Sequence, residues 1–303
     1  DGGELQLTAS RESLQDSLAI AEVRNQIGIQ IREGIERFAS GNPAGFARFM
    51  DVHSKGLLAM AASDTNMLDL VMKHVPWETS EGTMTLERIL RVFDRVQYTT
   101  SMTEFTAFAP ILRAGRTLLV NGAYVYGGEI LRQVQERRGL IGGLRLFDAS
   151  AFLGDLPRPA ADDLDVRGFE GHARSVLDRL GLDLDLREFA PASVPSLFVG
   201  ATGMPEFQAT PTEADPWADF LSEPERAPAR SRLVLNVSSS AVRALASLMD
   251  DRVRADAVTG LYVIGLLTAG EKLDERHTEL LSGTLYTLIA AAANPEAGAG
   301  AST

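Results

Sequence analysis

The sequence predicts a mixed α/β chain of the α+β type, and three features predict it. A long first stretch repeats apolar residues at helical spacing, while residues 96–148 alternate short apolar strands with helices. A second half with helical spacing contains two strand-like runs, LDLDLREF and RLVLNV. At 303 residues the chain has room for two domains, at least one with a sizeable core.

LQLTASRESLQ, residues 5–15, alternates Leu5 and Leu7 with polar neighbours as a strand does. Ser10 can cap a helix opened by Arg11, Glu12, Leu14, Gln15 and Leu18. Leu18, Ala21, Ile27, Ile31, Ile35 and Phe38 then recur at helical spacing until SGNP at 40–43 stops the pattern. Two shorter helices are expected at 44–62 and 65–74. VPWETSEG reads as a loop marked by Pro76 and Gly82, and TLERIL as the next helix.

At VQYTTS the pattern turns β-rich, and Ser101 with Glu104 forms a capping box for a helix over 102–114. The strand TLLVNG, a helix over 127–138 and the strand LRLFD at 144–148 follow. This alternation predicts a small parallel sheet with right-handed crossovers.

LGDLPRPAADD at 153–163 is the expected domain boundary. Beyond it lies a helix with Phe169, Ala173, Val176, Leu177 and Leu180 on one face. Leu182, Leu184 and Leu186 then alternate with Asp183, Asp185 and Arg187, as in a strand with one wet face, and VPSLFVG at 194–200 is expected beside it. Five prolines within 201–230 predict little regular structure there. RLVLNV restores a strand, followed by helices at 239–249, 253–270 and 274–292. The helix at 253–270 is apolar around most of its circumference, and Gly260 and Gly265 allow a close neighbour. Cover for it comes either from within the domain or from a second copy across a two-fold interface.

The composition excludes several kinds of chemistry. There is no cysteine, so disulfides, thiolate metal sites and thiol nucleophiles are absent. A net charge of −12, from 29 basic and 41 acidic residues, argues against nucleic acid as partner. The longest apolar run, at 257–270, is shorter than the roughly 18–20 residues that span a bilayer, so no membrane partner is expected. No secretory leader is read at the start of the sequence. His53, His74, His172 and His277 stand too far apart for metal-ligand spacing. NGAYVYGG lacks the lysine and hydroxyl of a phosphate loop, and GLIGG precedes a strand. The pairs Asp162–Asp163, Asp183–Asp185 and Asp250–Asp251 stand in solvated positions. No self-contained active site is expected. Arg11 is the exception of interest: at a helix mouth its guanidinium is a permanently charged fork suited to phosphate oxygens.

LQLTASRESLQ resembles a segment of the heat-shock protein 90 family of molecular chaperones, the bacterial HtpG type included. WETSEGTMTLERI at 77–89, VQYTTSMTEF at 96–105, LLVNGAYVYGGEIL at 118–131, DLREFAPASVPSLFVG and RLVLNVSSSAVRALASLMD resemble later family segments in the same order. The third resembles the short bacterial branch most. Thr8 stands where the family usually has asparagine, and Ser239–Ser240 where Asn-Pro is common.

The resemblance implies a partial middle domain over 1–158, with a catalytic-loop segment at 1–16, a helical part at 17–94 and a small α/β unit at 95–150. It implies a C-terminal dimerisation domain over 159–303, with a flexible insert at 201–230 and a homodimer bundle within about 238–292. Arg11 corresponds to the arginine that contacts the γ-phosphate of ATP held in a separate N-terminal domain, and Gln15 to a glutamine of the same catalytic loop. ATP with magnesium belongs to the complete, cytoplasmic, dimeric ATPase, and none is expected on this chain. Incompletely folded proteins are the implied clients, with contacts expected near Trp77 and within 201–230. An ATPase-inactive dimeric scaffold of the same descent is the first alternative, and an unrelated α/β enzyme the second.

Overall fold

The computed structural model describes residues 18–64, 67–138, 143–160, 163–200 and 230–293. The expected strand and helix start at 5–15, nearly all of the 201–230 insert and the tail lie outside them. The architecture is of the α+β class.

Helix α1 (Leu18–Gly41) turns into α2 (Pro43–Ser63) at Asn42. The Asn42 side chain accepts the Gly45 N–H at 2.9 Å, and Pro43 stands where a missing N–H costs nothing. Phe38 of α1 meets Phe46 and Phe49 of α2 edge-on, each with ring centroids 5.9 Å away. Helix α3 (Leu68–His74) follows, then strands β1 (Pro76–Thr79) and β2 (Gly82–Thr85) and helix α4 (Leu86–Val92).

VPWETSEG is therefore a hairpin and not the expected loop. Pro76 opens its strand, where no ladder donor is needed, and Ser80–Glu81 turn the chain into Gly82 at φ +100°. Along β1 only Trp77 and Thr79 point inward, and a strand so short and half polar carries little periodic signal.

Strand β3 (Val96–Thr99), helix α5 (Met102–Ala114), strand β4 (Leu118–Asn121), helix α6 (Gly127–Arg138), strand β5 (Leu144–Leu146) and helix α7 (Ala149–Asp155) come next. Five strands form a sheet in the order β2-β1-β4-β3-β5. Strands β1 and β4 pair antiparallel, with Thr79 opposite Val120, so the sheet is not the purely parallel one expected.

The remaining elements are α8 (Leu164–Asp178), β6 (Asp183–Arg187), β7 (Ser196–Val199), β8 (Arg232–Asn236), α9 (Ser240–Ala246), α10 (Asp251–Ala269) and α11 (Glu275–Ala293). Their sheet runs β6-β8-β7, with β6 parallel and β7 antiparallel to β8. VPSLFVG thus borders RLVLNV and not LDLDLREF. Leu233, Val234 and Leu235 are apolar on both faces and fully buried, and a strand of that kind takes the centre.

The expected wet face of β6 is largely closed. Arg187 is 6% exposed; its Nε donates to Asp185 at 3.0 Å and its Nη1 to the carbonyls of Leu156 and Gly154 at 2.8 and 3.3 Å. Asn236, fully buried, accepts from the Phe189 N–H and donates to the carbonyls of Phe189 and Val194. It satisfies main-chain groups of the β6–β7 connection that no ladder reaches.

The chain groups into two compact units. One comprises residues up to 78, 82–96 and 124–144; the other comprises 79–81, 97–123 and 145 onward. The first has a core including Phe46, Leu70, Val71, Trp77, Ile89 and Leu131. In the second, Phe108, Phe147 and Leu153 share one core with Phe169, Leu184, Leu235 and Val263. Residues on both sides of position 158 therefore contribute to that core.

Candidate functional site

The helical hairpin of α10 and α11, within the second unit, packs one side into that core and leaves part of the other uncovered. Asp250 caps α10 by accepting the N–H groups of Arg252 and Val253 at 2.9 and 3.1 Å. Gly270, at φ +75°, ends it; the Gly270 and Glu271 N–H groups return to the Leu267 and Leu266 carbonyls. Asp274 then caps α11 by accepting the His277 N–H at 2.8 Å.

Contacts run antiparallel along the hairpin. Tyr262 lies against His277, and the Thr284 hydroxyl donates to the Asp256 carbonyl at 3.2 Å. Burial holds the Tyr262 pKa above the usual phenol value.

Much of the apolar circumference of α10 is covered within the chain, by α5, α8, α11 and β7. Gly265 makes this possible on the sheet side, where a β-carbon would lie 3.3 Å from the Phe198 nitrogen. Ile264 and Leu267 remain exposed. On α11 the inward residues include Leu280, Leu281 and Thr284, while Leu285, Tyr286 and Ile289 form an outward stripe one turn long. Tyr286 is 77% exposed and Ile289 66%. An uncovered apolar stripe on a helix is the ordinary signature of an interaction surface.

The first unit carries a second exposed apolar feature, the tip Tyr124–Val125–Tyr126 between β4 and α6. Tyr126 holds a left-handed backbone at φ +66°, and the Gly127 N–H donates to the Tyr124 carbonyl at 2.7 Å. The Tyr124 hydroxyl donates to Glu78 at 2.9 Å, which raises its pKa above the ordinary value. Trp77, next to Glu78, is only 5% exposed, so its ring belongs to the core and not to the expected client-facing surface. Along α1, Val23, Ile27 and Ile31 make a third exposed apolar stripe.

Arg11 and Gln15, the site residues expected from the sequence, lie outside the described residues, as does Thr8. Among the described residues, no three histidine, aspartate or glutamate side chains converge to hold a metal ion. Nor is any described helix long and apolar enough to cross a membrane. Asp163 and Asp250, weighed as members of acidic pairs, serve as helix caps. Sequence reasoning missed the bond between Tyr262 and His277, since fifteen residues and a helix reversal separate them. The aromatic tip was legible only as the apolar interior of NGAYVYGG.

A scan of protein-family models finds no match to the chain, and a search of curated proteins finds none either.

Proposed function

We propose that the chain is the middle and C-terminal portion of an ATP-dependent chaperone of the heat-shock protein 90 family, cytoplasmic and homodimeric, which binds incompletely folded proteins. The observation that carries the reading is the collinear order of the family-like segments over nearly the whole sequence. In the structure WETSEG forms a hairpin leading into α4, VQYTTS forms β3 leading into α5, and RLVLNV forms β8 leading into α9.

Two surfaces support the partners in this reading. The stripe Leu285, Tyr286 and Ile289, with α10 behind it, suits a two-fold helical bundle that would bury it against its own copy. The rigidly held tip Tyr124–Tyr126 offers apolar area at little entropic cost to an unfolded segment.

Arg11 would act on nucleotide bound elsewhere in the complete protein. A guanidinium brought to a transferring γ-phosphate stabilises charge that develops in the transition state, and supplying it from a separate domain couples turnover to domain closure. Gln15, four residues along the sequence, belongs to the same loop in this reading.

The test is Arg11→Ala in a polypeptide that carries the nucleotide-binding domain. ATP affinity should stay nearly unchanged while turnover falls by about 100-fold or more. Unaltered turnover refutes the role of Arg11. The replacements at Thr8 and Ser239–Ser240 favour a second reading, a dimeric scaffold without ATPase activity; it predicts a dimer with no turnover in the unsubstituted protein.

A further inference from the structure

Tyr124, Val125 and Tyr126 are 57%, 71% and 45% exposed, three large side chains in succession on the surface of the first unit. A run of that kind is a liability for solubility unless it serves binding. The backbone beneath it is equally unusual. Tyr126 holds φ at +66°, a conformation that a bulky side chain disfavours and glycine takes without steric cost, although glycines stand directly after it at 127 and 128. Such strain clusters where side chains are held for a ligand.

Hydrogen bonds fix the presentation. The Tyr124 carbonyl accepts the Gly127 N–H at 2.7 Å, and the Tyr126 carbonyl accepts the Ile130 N–H at 3.0 Å, which ties the tip to the first turn of α6. The Tyr124 hydroxyl donates to Oε2 of Glu78 at 2.9 Å. Little conformational freedom is left to lose when something binds.

The charge set beside the tip is negative. Glu78 is exposed, and its carboxylate adjoins the Tyr124 ring at the hydroxyl. On α6, Arg132 is held between Glu129, at 2.7 Å, and Glu136, and Arg137 is held by Asp69 at 2.7 Å, so both cations are matched by carboxylates. The face of a tyrosine ring attracts a cation within about 6 Å of its centroid, and a carboxylate at the ring's hydroxyl adds a charge-assisted contact to the same group. The tip therefore suits a side chain that carries positive charge on an apolar stem, as lysine and arginine do. An acidic segment would meet Glu78 with like charge.

We propose that the Tyr124–Tyr126 tip with Glu78 is a docking site for extended polypeptide segments in which a lysine or arginine adjoins an aliphatic residue, the cation resting on Tyr124 beside Glu78 and the aliphatic side chain on Val125 and Tyr126. The inference rests on the reading of the chain as a binder of incompletely folded proteins and names which segments of them this surface selects.

The test titrates the isotope-labelled full chain with short Gly-Ser-flanked peptides that differ only in a central Val-Lys-Val, Val-Gln-Val or Val-Glu-Val, following the amide signals of the tip. In parallel it measures capture of reduced, amide-alkylated lysozyme as an unfolded protein. The lysine peptide should move the tip signals and bind about tenfold more tightly than the glutamate peptide, with the glutamine peptide between them. Glu78→Gln keeps an acceptor for the Tyr124 hydroxyl but removes the charge, so it should narrow that ratio to about twofold. Val125→Ser with Tyr126→Gly should weaken binding of the lysine peptide and lower capture of lysozyme. Tip signals that no peptide moves, equal affinities in the unsubstituted chain, or a lysine preference that Glu78→Gln leaves intact overturn the proposal. Lysozyme capture undiminished by Val125→Ser with Tyr126→Gly also overturns it, while the reading as a binder of unfolded proteins stands. A chain that captures no lysozyme but whose tip selects the lysine peptide supports the docking site and refutes that reading.

Discussion

A β-carbon on Gly260 would stand 2.8 Å from Cγ2 of Thr284, closer than such atoms pack. The glycine and the threonine are thus complementary halves of one crossing between α10 and α11. Gly260→Ala should destabilise the second unit by about 1–2 kcal/mol, overpacking being partly offset by alanine's better helix propensity. Gly283, on the open side of α11, meets nothing within 4 Å, so Gly283→Ala should stabilise by a few tenths to about 1 kcal/mol. Urea unfolding midpoints check both; a stabilising Gly260→Ala would show that the crossing is looser than described.

Arg187 links a strand to a preceding loop through one buried ion pair and two carbonyl contacts. Arg187→Met should cost about 3 kcal/mol or more, because Asp185 would be left in a nearly closed site with, among the described residues, only Arg232, 3.7 Å away, as counter-charge. Adding Asp185→Asn should recover much of the loss. Equilibrium denaturation of both variants tests this, and equal stability of the single and double variants would contradict it.

His74 is held below the usual imidazole pKa, chiefly by burial and next by Lys73, against the opposing pull of Glu36 and Glu87. Its Nε2 is buried without a hydrogen-bond partner, and its ring meets Phe46 edge-on at 5.0 Å. Folding therefore favours the neutral ring: the stability involved is fully present above the unfolded value near 6.5 and is lost as pH falls below it toward the depressed folded value. His74→Phe should lessen the drop in unfolding midpoint between pH 7.5 and 5.5. An undiminished drop would assign the acid sensitivity to other groups.

Leu285 and Ile289 contact nothing that their removal would leave hollow, since both lie on the outward stripe of α11. Leu285→Ser with Ile289→Ser should therefore leave the thermal midpoint within a few degrees. In the proposed dimer the same pair should raise the dissociation constant about 100-fold or more. Sedimentation velocity over a concentration series distinguishes the cases, and an undisturbed dimer would move the interface elsewhere.

Helices were legible where one face had to be apolar. The periodicity of α1, α8 and α10 announced them, and Ser101 at the mouth of α5 does accept the Glu104 N–H. The other half of that capping box is not made, because the Glu104 carboxylate instead receives the Thr99 hydroxyl. Strand neighbours were less legible. The burial of β8 on both faces was written in its composition, but only long-range pairing reveals that it separates β6 from β7. Arg187 looked like a solvent-facing residue because alternation reports which side of a strand a residue occupies, not whether a loop folds over that side. Of the candidate site, the apolar excess of α10 was visible, whereas the hydrogen bond between Tyr262 and His277 depends on a reversal that brings α11 back along α10.

The place of β8 has a consequence for how this molecule is made. The middle strand of the β6-β8-β7 sheet is the last of the three to be synthesised, and neither outer strand has a partner in that sheet until residue 232 has emerged. A growing chain must therefore carry two unpaired strand edges, one of them bordered by the apolar Leu197 and Phe198, through the synthesis of more than thirty further residues. Since closing a loop costs free energy only as the logarithm of its length, extending the 201–229 connection should alter final stability little while lengthening this exposed interval. The molecule thus has a vulnerable period of its own during synthesis.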